Sequence, residues 1–177
     1  MRTSLTKFNK LMIGTLNVVL SIVVGFLVLD VVWGVFTRYV LGDPASWTNE
    51  LAGFLLAWVT LLGGAAAFGT KEHLGVDYFV GKLHPDTRKS LAIFGHLVVL
   101  FFALVIFVYG GFKTVSDSFT PAMTQMTPAL NLNKGYVYLA LPIAGLFMVS
   151  FTLENMLETI SRPAADLYPT DLEGESK

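Results

Sequence analysis

The sequence predicts an all-α membrane protein: four transmembrane helices with short interfacial helices, and both termini in the cytoplasm. Three observations carry this. Four apolar segments, at residues 11–36, 51–68, 91–112 and 136–158, occupy most of the 177 residues. Each is near the roughly 20 residues that cross a hydrocarbon core of about 30 Å. The composition agrees, with 54% hydrophobic and only 14% charged residues, against about 25% charged in a soluble domain. Finally, the cationic residues segregate. With the N-terminus inside, Arg2, Lys7, Lys10, Lys71, Lys82, Arg88, Lys89, Arg162 and Lys177 fall on the inner side, and Arg38, Lys113 and Lys134 on the outer side. Lysine and arginine collect on the cytoplasmic face, so this split sets the orientation.

The same composition excludes several function classes. There is no cysteine, which removes disulfides, thiolate metal sites and cysteine nucleophiles. Nothing in the charge pattern points to nucleic acid. Residues 1–162 read as one membrane domain with no soluble module. Residues 163–177, with Asp166, Asp171, Glu173 and Glu175, read as an acidic disordered tail. No internal repeat is evident, so the inverted-repeat plan of a complete transporter is not visible.

Span one is 26 residues long, beyond the ~7–15 apolar residues of a cleavable signal, and is expected to stay as a span. As a helix it is about 39 Å long, so tilt or protrusion is expected. It contains Asn17, Ser21 and Asp30. A carboxylate within a span is costly and points to function by default. Asp30 reads either as hydrated or bonded to a partner helix near the outer interface, or as an ion- or proton-handling group.

The outer loop from Arg38 to Glu50 follows. Asp43 before Pro44 reads as an N-cap with proline in the first turn, starting a short interfacial helix that turns into span two. Trp47 is an interfacial anchor type. Arg38 and Glu50 end the flanking spans on the same side, and an ion pair between them is expected to close the hairpin. Span two carries small residues at four-residue spacing, Gly53, Ala57, Thr60 or Leu61, and Gly64, a helix-packing signature. The expectation is packing inside this subunit, with packing against another subunit as the alternative.

The inner loop between spans two and three places Val76, Phe79, Val80 and Leu83 at i, i+3, i+4, i+7, an amphipathic stripe. A helix lying in the membrane plane is expected there, with His73, Asp77, Phe79 and Leu83 as its marker residues. Span three is bulky and apolar almost all round. Its one polar member near the inner end, His96, is expected to make a structural hydrogen bond. Span four contains Pro142, which predicts a kink, and Gly145. Glu158 and Arg162 form an i, i+4 pair beyond it.

The run Arg38-Tyr39, Trp47-Thr48-Asn49-Glu50-Leu51, Gly63-Gly64-Ala65-Ala66 and Glu72-His73-Leu74-Gly75-Val76-Asp77 resembles the small membrane subunit of tripartite ATP-independent periplasmic (TRAP) transporters. So do Thr127-Pro128-Ala129-Leu130-Asn131-Leu132 and Tyr138-Leu139-Ala140-Leu141-Pro142. The chain departs from that pattern at Asn131-Leu132-Asn133-Lys134, where a more apolar or proline-ended stretch is expected. The resemblance implies a non-catalytic subunit of the bacterial inner membrane without a cofactor of its own. It implies a large membrane subunit as partner, with sodium coupling in that partner. A periplasmic binding protein, docked transiently, would deliver an organic acid such as a C4-dicarboxylate or sialic acid. Independently, the central thirds of spans two and three carry almost no polar side chains, whereas an anion pathway requires them. Two other classes stand beside this one. An oligomeric small transporter or channel would use Asp30 to line its pore. A haem-anchoring redox subunit needs paired histidines on two spans, but only His96 lies within one.

Overall fold

The computed structural model describes residues 2–70 and 85–161. Four helical runs long and apolar enough to span a membrane cover Asn9–Leu41, Ser46–Gly69, Lys89–Phe119 and Gly135–Ser161. Among the described residues there is no strand, only a single bridge between Met126 and Asn133. The interfacial helix expected around His73, Asp77, Phe79 and Leu83, the Glu158–Arg162 pair and the acidic tail lie outside these residues.

Span one is α1 (Arg2–Phe36), which widens into a π turn at Thr37–Leu41. Its 35 helical residues measure about 52 Å at 1.5 Å each, longer than the sequence boundaries suggested. Span two is α2 (Ser46–Gly69). Span three runs without a break through α3 (Pro85–Phe102), a π segment (Ala103–Gly110) and α4 (Gly111–Phe119). It therefore reaches seven residues beyond its expected end at 112. Span four is a one-turn helix, α5 (Gly135–Tyr138), followed by α6 (Ala140–Ser161). Helical order yields at Leu139 between them. Pro142 cannot donate to the carbonyl four residues back, and the helix is interrupted there, one turn before the proline, where a kink was expected.

Span four is the hub. α6 packs against α1, α2, α3, the π segment and α4, giving a lateral order of one, two, four, three. The buried cluster holds Leu16 of span one, Leu62, Ala65 and Ala66 of span two, Ala103 of span three, and Ala144, Met148 and Phe151 of span four. Half of these residues are alanine. Small side chains let helix backbones approach closely, and that contact area holds helices together where lipid is as apolar as the helix surface. Glycine extends the approach. A Cβ on Gly111 would lie 2.9 Å from Pro142, and one on Gly145 would lie 2.7 Å from the Phe107 Cβ. The π segment and the start of α4 thus press closely on the first turns of α6.

Polar ties close the end of the bundle nearest the N-terminus. The Asn9 carboxamide donates to Glu154 and accepts the Ser150 hydroxyl at 3.1 Å. Asn155 donates to the Phe68 carbonyl at 3.4 Å and Lys89 to the Ile160 carbonyl at 3.2 Å. All four spans are joined there. His96 bonds the Ala92 carbonyl within its own helix at 2.5 Å, the structural role expected of it.

Gly145→Ala should force Phe107 and its backbone aside and cost about 1–3 kcal/mol, as overpacking does. Gly64→Ala, where a Cβ meets nothing within 4 Å, should stay within about 0.5 kcal/mol of the parent. Thermal unfolding of the two purified variants in one detergent compares them directly.

Candidate partner face and outer-end site

The turn between spans one and two is built on Thr37. Its hydroxyl donates to the Gly34 carbonyl at 3.0 Å and accepts the Ala45 amide at 3.3 Å. Its carbonyl accepts the amides of Gly42 and Asp43. Gly42 has φ 69°, a left-handed conformation that glycine adopts freely. Residues 42–45 are used up in this reversal, which corrects the expected helix start. Asp43 caps nothing, and α2 begins at Ser46 behind an extended Ala45 with no side-chain cap. The helix enters span two directly, so no separate interfacial helix forms here. Thr48 supports the start by donating to the Ala45 carbonyl at 2.8 Å. Opposite it, Gly34 has no side chain, and a Cβ there would lie 3.0 Å from the Thr48 oxygen.

Between these elements is a cavity of about 130 Å³, lined by Asp30, Gly34, Arg38, Tyr39, Thr48, Asn49 and their neighbours. Asp30 is 6% exposed. It faces α2, away from lipid. Asn17 is exposed, while the nearby Ser21 hydroxyl is satisfied by the Asn17 carbonyl at 2.8 Å. Trp47 is partly exposed at the start of α2, with Tyr39 more so, consistent with aromatic anchoring at an interface.

The expected Arg38–Glu50 pair is corrected by the position of Glu50. Its carboxylate accepts the Ala129 amide at 3.0 and 3.2 Å and the Leu130 amide at 2.9 Å. Two backbone donors in a turn suit a carboxylate better than a long cationic side chain that must be ordered in water. Glu50 therefore fastens span two to the loop before span four, and Arg38 lines the cavity instead.

That loop is an ordered platform. The Thr127 amide donates to the Leu132 carbonyl at 2.9 Å, and the Leu132 amide returns to the Thr127 hydroxyl at 3.1 Å. Asn131 has φ 52°, which asparagine tolerates better than most residues. The buried Asn133 donates to the Ser118 carbonyl at 2.9 Å and accepts the Gly135 amide at 2.7 Å. The departure at Asn131-Leu132-Asn133 is thus what clasps the end of span three to the start of span four.

The small residues of span two are corrected as well. Gly53, Thr60 and Gly64 are exposed and Ala57 is half-buried. A Cβ on Gly53 or Gly64 would meet nothing within 4 Å. This face points away from the other three spans, while Leu62, Ala65 and Ala66 turn inward. At the N-terminal end of α2 it runs into an open groove of about 430 Å³ lined by Asn49, Glu50, Gly53, Phe54, Thr127, Pro128, Lys134, Val137 and Tyr138. Of the residues singled out from sequence, the structure gathers Glu50 and Gly53 at this groove, with Ala57 and Gly64 farther along the same helix. Asp30 and Arg38 meet at the cavity, Pro142 lies in the core, and Asn17 stands apart. Thr37, Thr48, Thr127 and Asn133 were missed. Their only local signal is hydroxyl and amide side chains next to glycine or proline. Among the described residues no group of three or more His, Cys, Asp or Glu is placed to hold a metal.

Residues 27–162 match the family model described as tripartite ATP-independent periplasmic transporters, DctQ component. The chain is 31% identical over 124 residues to the sialic acid TRAP transporter small permease protein SiaQ of Vibrio cholerae, covering 70% of this chain and 69% of that protein. It is 32% identical over 76 residues to the C4-dicarboxylate TRAP transporter small permease protein DctQ of Vibrio cholerae, covering 42% and 32%. It is also 26% identical over 115 residues to the sialic acid TRAP transporter permease protein SiaT of Haemophilus influenzae. There the match takes 65% of this chain and only 18% of a much longer relative.

Replacing Glu50 with Gln or Ala should speed hydrogen exchange at the Ala129 and Leu130 amides, while Arg38→Ala leaves them unchanged. Exchanging the two charges, R38E with E50R, should not restore protection, because the carboxylate's partners are backbone amides. Mass-spectrometric exchange on the peptide containing 127–132 reads both.

Proposed function

The chain belongs to the DctQ component of tripartite ATP-independent periplasmic transporters, as a small permease subunit; from that premise we propose that it is a non-catalytic scaffold for a large transport subunit. The outward small-residue face of span two is the observation that carries this. Gly53 and Gly64 make no close contact within the subunit, yet small residues on a membrane helix are suited to close approach by another helix. The match to part of a longer permease supports a partner body that stays beside this one.

The large subunit would carry the organic acid and the sodium coupling. This subunit would hold it at a fixed depth in the bacterial inner membrane, with both termini cytoplasmic. The ordered loop 120–134, on the outer side in that orientation, presents Met123, Met126 and Leu132 outward and would help seat the periplasmic binding protein. Relatives are named for sialic acid and for C4-dicarboxylates, so the solute is proposed within that class of carboxylated compounds. The channel reading is weakened by geometry. Asp30 lies behind α2 inside the hairpin, so copies packed around a pore would not present it to the lumen.

Coexpression with the large subunit and extraction in mild detergent tests the scaffold. Gly53→Leu combined with Gly64→Leu should reduce recovery of the large subunit while the small subunit keeps its own melting temperature. A stable homo-oligomer that ignores the large subunit, or undiminished recovery with the double variant, would overturn the reading.

A further inference from the structure

We propose that the cavity between the outer ends of α1 and α2 is an internal hydration site, in which ordered water bridges the Asp30 carboxylate to the Arg38 guanidinium. Asp30 is 6% exposed, and neither of its oxygens has a hydrogen-bond partner in the protein. A carboxylate taken out of water without compensation is strongly disfavoured. The compensation therefore has to come through the cavity that Asp30 lines.

The lining supplies it. Arg38 is the single cationic side chain among the residues that form this cavity. Both residues line it, Asp30 from α1 and Arg38 from the π turn that follows, so both lie on the side of span one that faces α2. Side chains on a helix lean toward its N-terminus, which aims Arg38 back along that side. The two groups are not within ion-pair distance of each other, and the gap is what water fills. The cavity of about 130 Å³ has room for roughly four waters at about 30 Å³ each. Such a water needs two to four polar partners. Besides the two charged residues, the lining includes the polar residues Thr48 and Asn49. Thr48 uses its proton on the Ala45 carbonyl, which leaves its hydroxyl oxygen free to accept. Arg38 is exposed, so the site opens at the outer interface, where water can enter.

This gives the hairpin a charge pair, between different residues from those the sequence suggested. Glu50 is engaged with the loop at 129–130, and Asp30 takes its place as the anion facing Arg38. The inference stands whether or not the chain scaffolds a larger subunit, because every group in it belongs to this chain.

The test uses the full chain, labelled with carboxyl-¹³C aspartate, in lipid nanodiscs. Asp30→Asn identifies the Asp30 signal by its loss. The expected result at neutral pH is an ionised Asp30 carboxyl with rapid water-edited magnetisation transfer. Arg38→Met should convert that signal to the protonated form, and Arg38→Lys should keep it ionised. In thermal unfolding D30N and R38M should each lower the midpoint, and the double variant should be no worse than the weaker single variant. A carboxyl already protonated in the parent and unmoved by R38M overturns the proposal, as does one that receives no magnetisation from water. If D30N does not fold, the parent, R38M and R38K spectra still decide, since only a carboxyl coupled to Arg38 changes state among them.

Discussion

The architecture depends on how closely span four approaches its neighbours. A bilayer supplies no hydrophobic force to press one apolar helix against another, so contact area must be made by backbones coming close. Gly145 lies against Phe107, Gly111 lies against Pro142, and Ala103, Ala140 and Ala144 are fully buried. Larger residues at these positions would push span three off the bundle, and with it the loop that Glu50 holds. The loop platform is therefore downstream of a contact made within the spans.

Polar groups are rationed accordingly. They appear at the two ends of the bundle, where side chains from different spans can satisfy one another. At the end near the N-terminus Asn9, Ser150 and Glu154 join spans one and four. At the opposite end Glu50 and Asn133 hold the loop to spans two and three. Between these ends the core is alanine, leucine, methionine and phenylalanine. Such a body has two stapled rims and an apolar waist.

The number and position of the spans were legible because hydropathy is a local property of composition. The break before Pro142 was legible for the same kind of reason, since a missing amide donor is written in one residue. The partner of Glu50 was not, because it lies 79 residues away and no local pattern encodes it. Arg38 is closer in sequence and carries the complementary charge, yet two backbone amides in an ordered turn outcompete it. The small residues of span two were visible as a stripe, but a stripe does not say which body it meets. Only the positions of the other three spans show that they leave it uncovered. The role of Asn131 and Asn133 was hidden in what reads as a departure from family pattern. Their backbone and clasp are properties of the folded loop alone.

The π segment of span three has a consequence for how that helix is phased. Hydrogen bonds that skip five residues take up an extra residue relative to an α-helix, and one residue is about 100° of rotation. The faces of Gly111–Phe119 are therefore turned relative to those of Pro85–Phe102. A single helical wheel drawn through the whole span would assign its lipid and protein sides wrongly at one end. The nearly featureless apolar surface of residues 97–107 conceals this shift, since leucine, valine and phenylalanine suit lipid at any angle. The glycine at 111 is where the rotated part must find its correct side, and it does so against Pro142. Span three thus behaves as two rods joined by a slipped thread, set at angles that neither rod alone would reveal.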